Sequence, residues 1–132
     1  MYDEAAETTL VYTAELLDHF RNPRNCGTLP PPAVVVDVSN PACGDTLRLS
    51  VVWQDGQVEH AAFQCRGCTA AIALGSAVTV WLHGRDAAEL AAFDQNAAAA
   101  LVGELPAASG HAAILCRDAV RAVLRSSPTL NS

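Results

Sequence analysis

Five cysteines and four histidines carry most of the reactive chemistry available to this 132-residue sequence. Cys65 and Cys68 stand at C-x-x-C spacing, where a strand-like run gives way to a helix-like one. At such a break the unpaired N–H groups and the helix dipole favour thiolate over thiol on Cys68, and a thiolate is both a nucleophile and a metal ligand. Cys43 lies in the loop Pro41-Ala42-Cys43-Gly44-Asp45, with Asp45 at the mouth of a long strand. His111 falls near the start of the last predicted helix, where the dipole disfavours imidazolium and leaves a neutral ring for a metal. Cys43, Asp45, Cys68 and His111 together offer two thiolates, a carboxylate and an imidazole, a set that suits zinc, or iron with sulfide. Each has a plainer alternative: a buried cysteine acts as a small hydrophobe, and a histidine at a helix start is often a surface or capping residue. Cys65 shares a face with Phe63, and Cys116 shares a helical stripe with Val120 and Val123. Both therefore read as core residues first and as auxiliary ligands second.

The elements that must bring these groups together follow from periodicity and turn chemistry. Thr9 is a candidate cap for a helix from Leu10 to about Phe20, with Leu10, Ala14, Leu17 and Phe20 near one face. Asn22-Pro23 ends it, because the residue before proline avoids the α region. Ala33 to Val38 is a β-branched strand. Leu47, Leu49, Val51 and Trp53 alternate with Thr46, Arg48 and Ser50, the pattern of a half-buried strand. Asp55-Gly56 signals a tight hairpin, and Val58 to Cys65 returns. Counting outward from that turn sets Asp45 and Cys43 roughly opposite Cys65–Cys68. Thr69 to Leu82 is apolar at helical spacing and stops at Gly84. Asp86 with Glu89 resembles a capping box, Asp94 is a second cap, and Ser109 a third, opening a helix over Gly110–Arg125. The order implies an α+β fold with two layers, in which helices cover one face of an antiparallel sheet. Spacing alone does not carry His111 to the hairpin end.

Composition narrows the field. The chain is long enough for one self-sufficient core over 1–132, with residues 1–8 read as a tail. The formal charge is −6. Lysine is absent and the basic residues are eight scattered arginines, which argues against a nucleic-acid groove and excludes lysine Schiff-base chemistry. No apolar run reaches a membrane span, and the acidic N-terminus does not resemble a signal peptide. An odd number of cysteines suits a reducing, cytoplasmic setting. C-x-x-C also admits a thiol–disulfide oxidoreductase on Cys65 and Cys68, and a cysteine near a histidine admits a hydrolase, although no oxyanion-hole motif is visible.

Four segments narrow it further: YTAELLDHFRNPRNCG (12–27), NPACGDTLRL (40–49), FQCRGCTAAIALGSAVTVWLHG (63–84) and ELPAASGHAAILCRDAV (104–120). In order and spacing they resemble the IscU/NifU N-terminal family of iron–sulfur cluster assembly scaffolds. The resemblance implies a small α+β domain with a three-stranded antiparallel sheet and helices on one face. It implies a protein that is not an enzyme, and that binds iron and a [2Fe–2S] cluster for transfer, with zinc as an alternative occupant. Carried over residue by residue, Cys43 and Cys68 are the first and second cysteines of the family site, Asp45 its aspartate and His111 its histidine. The third cysteine is replaced by Ala112, which questions direct persulfide acceptance. Cys65 and Cys116 are the auxiliary thiols that remain, and Cys26 takes an aliphatic position. The implied partners are a cysteine desulfurase and acceptor apo-proteins, and self-association into a homo-oligomer is left open. A dedicated chaperone is less expected, because the family's L-P-P-V-K motif reads Leu105-Pro106-Ala107-Ala108-Ser109.

Overall fold

The computed structural model describes residues 12–42 and 44–127. The chain runs through α1 (Ala14–Arg21), β1 (Val34–Asn40), β2 (Asp45–Gln54), β3 (Gln57–Arg66) and α2 (Thr69–Leu82). It continues through α3 (Ala87–Ala92), α4 (Gln95–Ala100), a 3-10 turn (Ala107–Ser109) and α5 (Gly110–Arg125). The strands form an antiparallel sheet in the order β1-β2-β3. Helices α2 and α5 pack on one face of it, and α1 packs on α2.

The hairpin is set by its turn. Asp55 and Gly56 both take positive φ (54° and 78°), the conformation whose twist matches the flanking strands. A bulge between Val52 and Trp53 then shifts the register by one residue, and beyond it Leu47 lies opposite Cys65 and Thr46 opposite Arg66. Asp45 therefore ends beside the chain that leaves β3 for α2. Leu47, Leu49 and Val51 are at most 2% exposed and meet the helices as their alternation predicts. Ser50 departs from the pattern: it is fully buried and accepts a hydrogen bond from the Leu29 N–H (3.0 Å). The segment after α1 folds over the second face there, so the other side of β2 is not uniformly solvated.

Helix α2 is apolar almost all round, which is why it is the central helix. Ala70, Ala73, Leu74 and Val78 are fully buried. Helix α1 starts at Ala14, where Thr13 Oγ1 accepts from the Leu16 N–H (3.0 Å). The expected Thr9 cap and Leu10 start lie outside the described residues. Its buried pair is Leu16 and Leu17, while Phe20 is 36% exposed, so the predicted stripe is rotated. The Asp86–Glu89 capping box forms in both directions, and Asp94 caps α4 through the Ala97 N–H. Ser109 does not cap α5 with its side chain; it is the buried last residue of the 3-10 turn, and the turn itself leads into the helix.

Candidate metal centre

The end of the hairpin collects three chemically distinct donors. Asp45 is the first residue of β2, Cys68 is the N-cap of α2, and His111 lies in the first turn of α5. One ligand atom from each lies within 4.8 Å of the others. Cys68 Sγ is 3.5 Å from His111 Nε2, and His111 Nε2 is 3.4 Å from Asp45 Oδ2. That last contact is not a hydrogen bond, and Asp45 Oδ2 is buried with no hydrogen-bond partner. Such a carboxylate oxygen typically carries a penalty of about 1–3 kcal/mol or more. A cation would remove it. The donor set of thiol, imidazole and carboxylate also fits zinc or iron, so the residues present fit a bound metal.

The thiols differ from the expectation drawn from helix position. Burial pushes the Cys68 thiol above its ordinary value, and the Asp45 charge adds to this. The N–H groups of Ala71 and Ala70 point toward the sulfur and pull the other way without prevailing, and no full side-chain cap forms. Helix position therefore helps the thiolate here but burial outweighs it. Burial, then the charges at Asp45 and Cys68, push the Cys65 thiol up to about 12. Cys116 is 1% exposed and its thiol is raised further by the same desolvation, with a contribution from Cys65.

Cys43 lies outside the described residues, so its place in this group is an inference from the neighbouring loop. Cys65 packs partly buried against the core, and Cys116 lies within it; neither belongs to the group formed by Asp45, Cys68 and His111. Ala112, beside His111, is 1% exposed and offers no ligand atom. Cys26 is exposed and tied by its backbone to Phe63. Among the other histidines, His19 bonds Ser76, His83 donates from Nδ1 to the Glu59 carbonyl (2.8 Å), and His60 lies 3.2 Å from Glu59. One residue that sequence reasoning passed over is Gly67. A Cβ built there would lie 2.8 Å from Asp45 Cγ. The register Thr46–Arg66 was the signal that could have found it, since it sets Gly67 against Asp45.

Comparison with known proteins finds relatives over most of the chain. Residues 11–129 match the family model described as the NifU-like N terminal domain. The iron–sulfur cluster assembly scaffold protein IscU of Escherichia coli K12 is 37% identical over 119 residues, covering 87% of this chain and 92% of that one. The Haemophilus influenzae protein of the same name is also 37% identical over 119 residues, with 87% and 94% covered. Among solved structures, the N-terminal part of a nitrogen-fixing NifU-like protein from Brucella abortus superposes with a TM-score of 0.60 at 25% identity, covering 91% of this chain and 85% of that one. The α+β sheet-and-helix architecture is thus that of its structural neighbours. Among the described residues no helix is long and apolar enough to cross a membrane. With the match spanning nearly the whole sequence, the chain belongs to the NifU-like N-terminal domain family.

Proposed function

We propose that this protein is an iron–sulfur cluster assembly scaffold. It binds iron and a [2Fe–2S] cluster as cargo at Cys43, Asp45, Cys68 and His111, and hands it to acceptor apo-proteins. The observation that carries this reading is the buried Asp45 Oδ2, without a hydrogen-bond partner, beside Cys68 and His111. The names of the E. coli and H. influenzae relatives support it. Soft thiolates suit iron held with sulfide, whereas a carboxylate oxygen is a harder and more exchangeable donor. Asp45 is therefore the ligand best suited to let the cargo leave. A cysteine desulfurase is the proposed sulfur source. With Ala112 in place of a cysteine, either another thiolate of this chain takes the outer sulfur of the desulfurase persulfide, releasing the desulfurase thiolate, or free sulfide enters the cluster directly and no acceptor thiol is needed.

A second reading rests on Ala112 itself. Four ligands, two of them cysteines, suffice to close a tetrahedral zinc site, and a zinc-holding paralogue would modulate a desulfurase without building clusters. A redox dithiol at Cys65 and Cys68 is opposed by their raised thiols, because such motifs work through a depressed thiolate. The hairpin leading into α2 is also not the βαβ setting that motif requires. Iron, acid-labile sulfide and zinc per chain, measured on one anaerobic preparation, separate the first two readings. Near-equal iron and sulfide, lost in Cys43→Ala and Cys68→Ala, supports the scaffold. About one zinc per chain, with no cluster after iron and sulfide are supplied, supports the paralogue.

A further inference from the structure

Gly27, Gly44, Gly56 and Gly84 have positive φ and open space where a Cβ would lie. Each is required by its backbone conformation. Gly67 is the reverse case. Its φ lies outside the left-handed region, so an L-residue could adopt the same backbone, yet a Cβ there would meet Asp45 Cγ at 2.8 Å, Oδ1 at 3.0 Å and Cβ at 3.2 Å. The three atoms nearest the place of the missing Cβ all belong to the Asp45 side chain. Asp45 is only 6% exposed, and the space over Gly67 is what lets its carboxylate lie flat against the chain with Oδ2 turned to Cys68 and His111.

We infer that Gly67 is a positioning residue for the metal centre: by lacking a Cβ it holds the Asp45 carboxylate in the ligating position. The inference rests on the proposed metal site and adds a residue to it. A methyl at position 67 meets Asp45 Cγ and Oδ1, which a rotation about χ1 moves away, and Asp45 Cβ at 3.2 Å, which a shift of a few tenths of an ångström relieves. The fold can absorb it by swinging Asp45 away, and the swing takes Oδ2 out of the site. It also lets Asp45 Oδ2, which has no hydrogen-bond partner, reach water, a gain that offsets the small shift at Cβ, so the apo-protein keeps its stability. A residue needed only for the fold would behave in the opposite way.

The test uses cobalt(II) alone as the probe, with wild type, Gly67→Ala, Asp45→Ala and the double variant. Affinity is read by competition titration, coordination by the visible absorption bands, and apo stability by thermal unfolding. Gly67→Ala is expected to weaken cobalt about tenfold or more, the range for residues that orient metal ligands. Its ligand-field bands should shift to those of Asp45→Ala while the thiolate charge-transfer band stays, and its apo unfolding temperature should match or exceed wild type. In the double variant Gly67→Ala should add no further loss. Wild-type affinity and bands in Gly67→Ala overturn the positioning role alone. A loss of apo stability that persists in an Asp45→Gly background, which has no Cβ for the methyl to meet, also overturns it, and assigns Gly67 to the backbone. Absence of cobalt binding in wild type overturns the metal centre and this role with it.

Discussion

Two polar regions flank α2, and they treat their buried groups in opposite ways. On the flank packed against α1, the Arg24 N–H donates to Ser76 Oγ (2.8 Å), and that hydroxyl also lies 2.8 Å from His19 Nδ1. Asn25 Nδ2 donates to Thr79 Oγ1 (3.1 Å). The Asn25 carbonyl accepts from the Phe63 N–H, and the Gly27 N–H donates to the Phe63 carbonyl. The Asn22–Gly27 segment thereby covers part of the edge of β3 and ties it to α1 and α2. At the N-terminus of α2 the same helix begins at Cys68, beside an Asp45 oxygen with no hydrogen-bond partner. Buried polar groups that are satisfied hold a structure together; one left unsatisfied at a cluster of ligand atoms is a place for a ligand.

The sharpest way to break this contrast is Cys68→Ala. It should reduce metal affinity by more than the roughly 10–100-fold typical of residues that only orient ligands. Unfolding of the apo-protein, followed by circular dichroism, should change little by comparison. Ser76→Ala should do the converse. It leaves the part-buried Arg24 N–H without its Ser76 acceptor and should lower stability by about 1 kcal/mol in denaturant titrations, with cobalt affinity unchanged. Asp45→Ala sharpens the contrast by its sign. Removing a buried carboxylate whose Oδ2 has no hydrogen-bond partner should leave apo stability equal or raise it by about 1 kcal/mol, while metal affinity falls. A large fall in apo stability would mean that Asp45 has a structural partner after all.

The smallest effect is expected from pH on the satisfied flank. Burial, then the Arg24 charge, lowers the His19 pKa. Nδ1 lies 3.2 Å from an Arg24 Nη1 that can only donate, so the folded state keeps this nitrogen unprotonated. The unfolded chain takes up a proton at about 6.5. The folded pKa lies below that, so the contribution of His19 is fully present above the unfolded value and is lost as pH falls through it toward the folded one. Stability measured between pH 8 and 5 should decline less steeply in His19→Gln than in wild type.

Local signals explain why much of the architecture was visible beforehand. Asp55-Gly56 set the hairpin and brought Asp45 to the same end as Cys68, although a bulge between Val52 and Trp53, which no turn signal announced, moved the register by one residue. Asp86, Glu89 and Asp94 announced their helices because caps act within one turn of chain. The failures are equally physical. Ser50 was assigned to solvent because alternation along β2 cannot reveal that Leu29 returns to cover it. Phe20 was assigned to the buried face of α1 because a short helix carries too few turns to fix its rotation. Ser109 resembled a cap, but a preceding 3-10 turn changes where the chain enters α5. For Cys68 the sequence showed the helix N-terminus but not the burial that overrides it.

By its residues alone the chain determined the order of elements, the position of the hairpin turn and the identity of the donor groups, since all of these depend on neighbours a few positions apart. Only the tertiary structure decided that His111, 43 residues beyond Cys68, reaches the hairpin end, that Asp45 Oδ2 is buried without a hydrogen-bond partner, and that Gly67 makes the room it occupies. Burial and close approach depend on which distant segments pack together, and no local pattern encodes the space left between them.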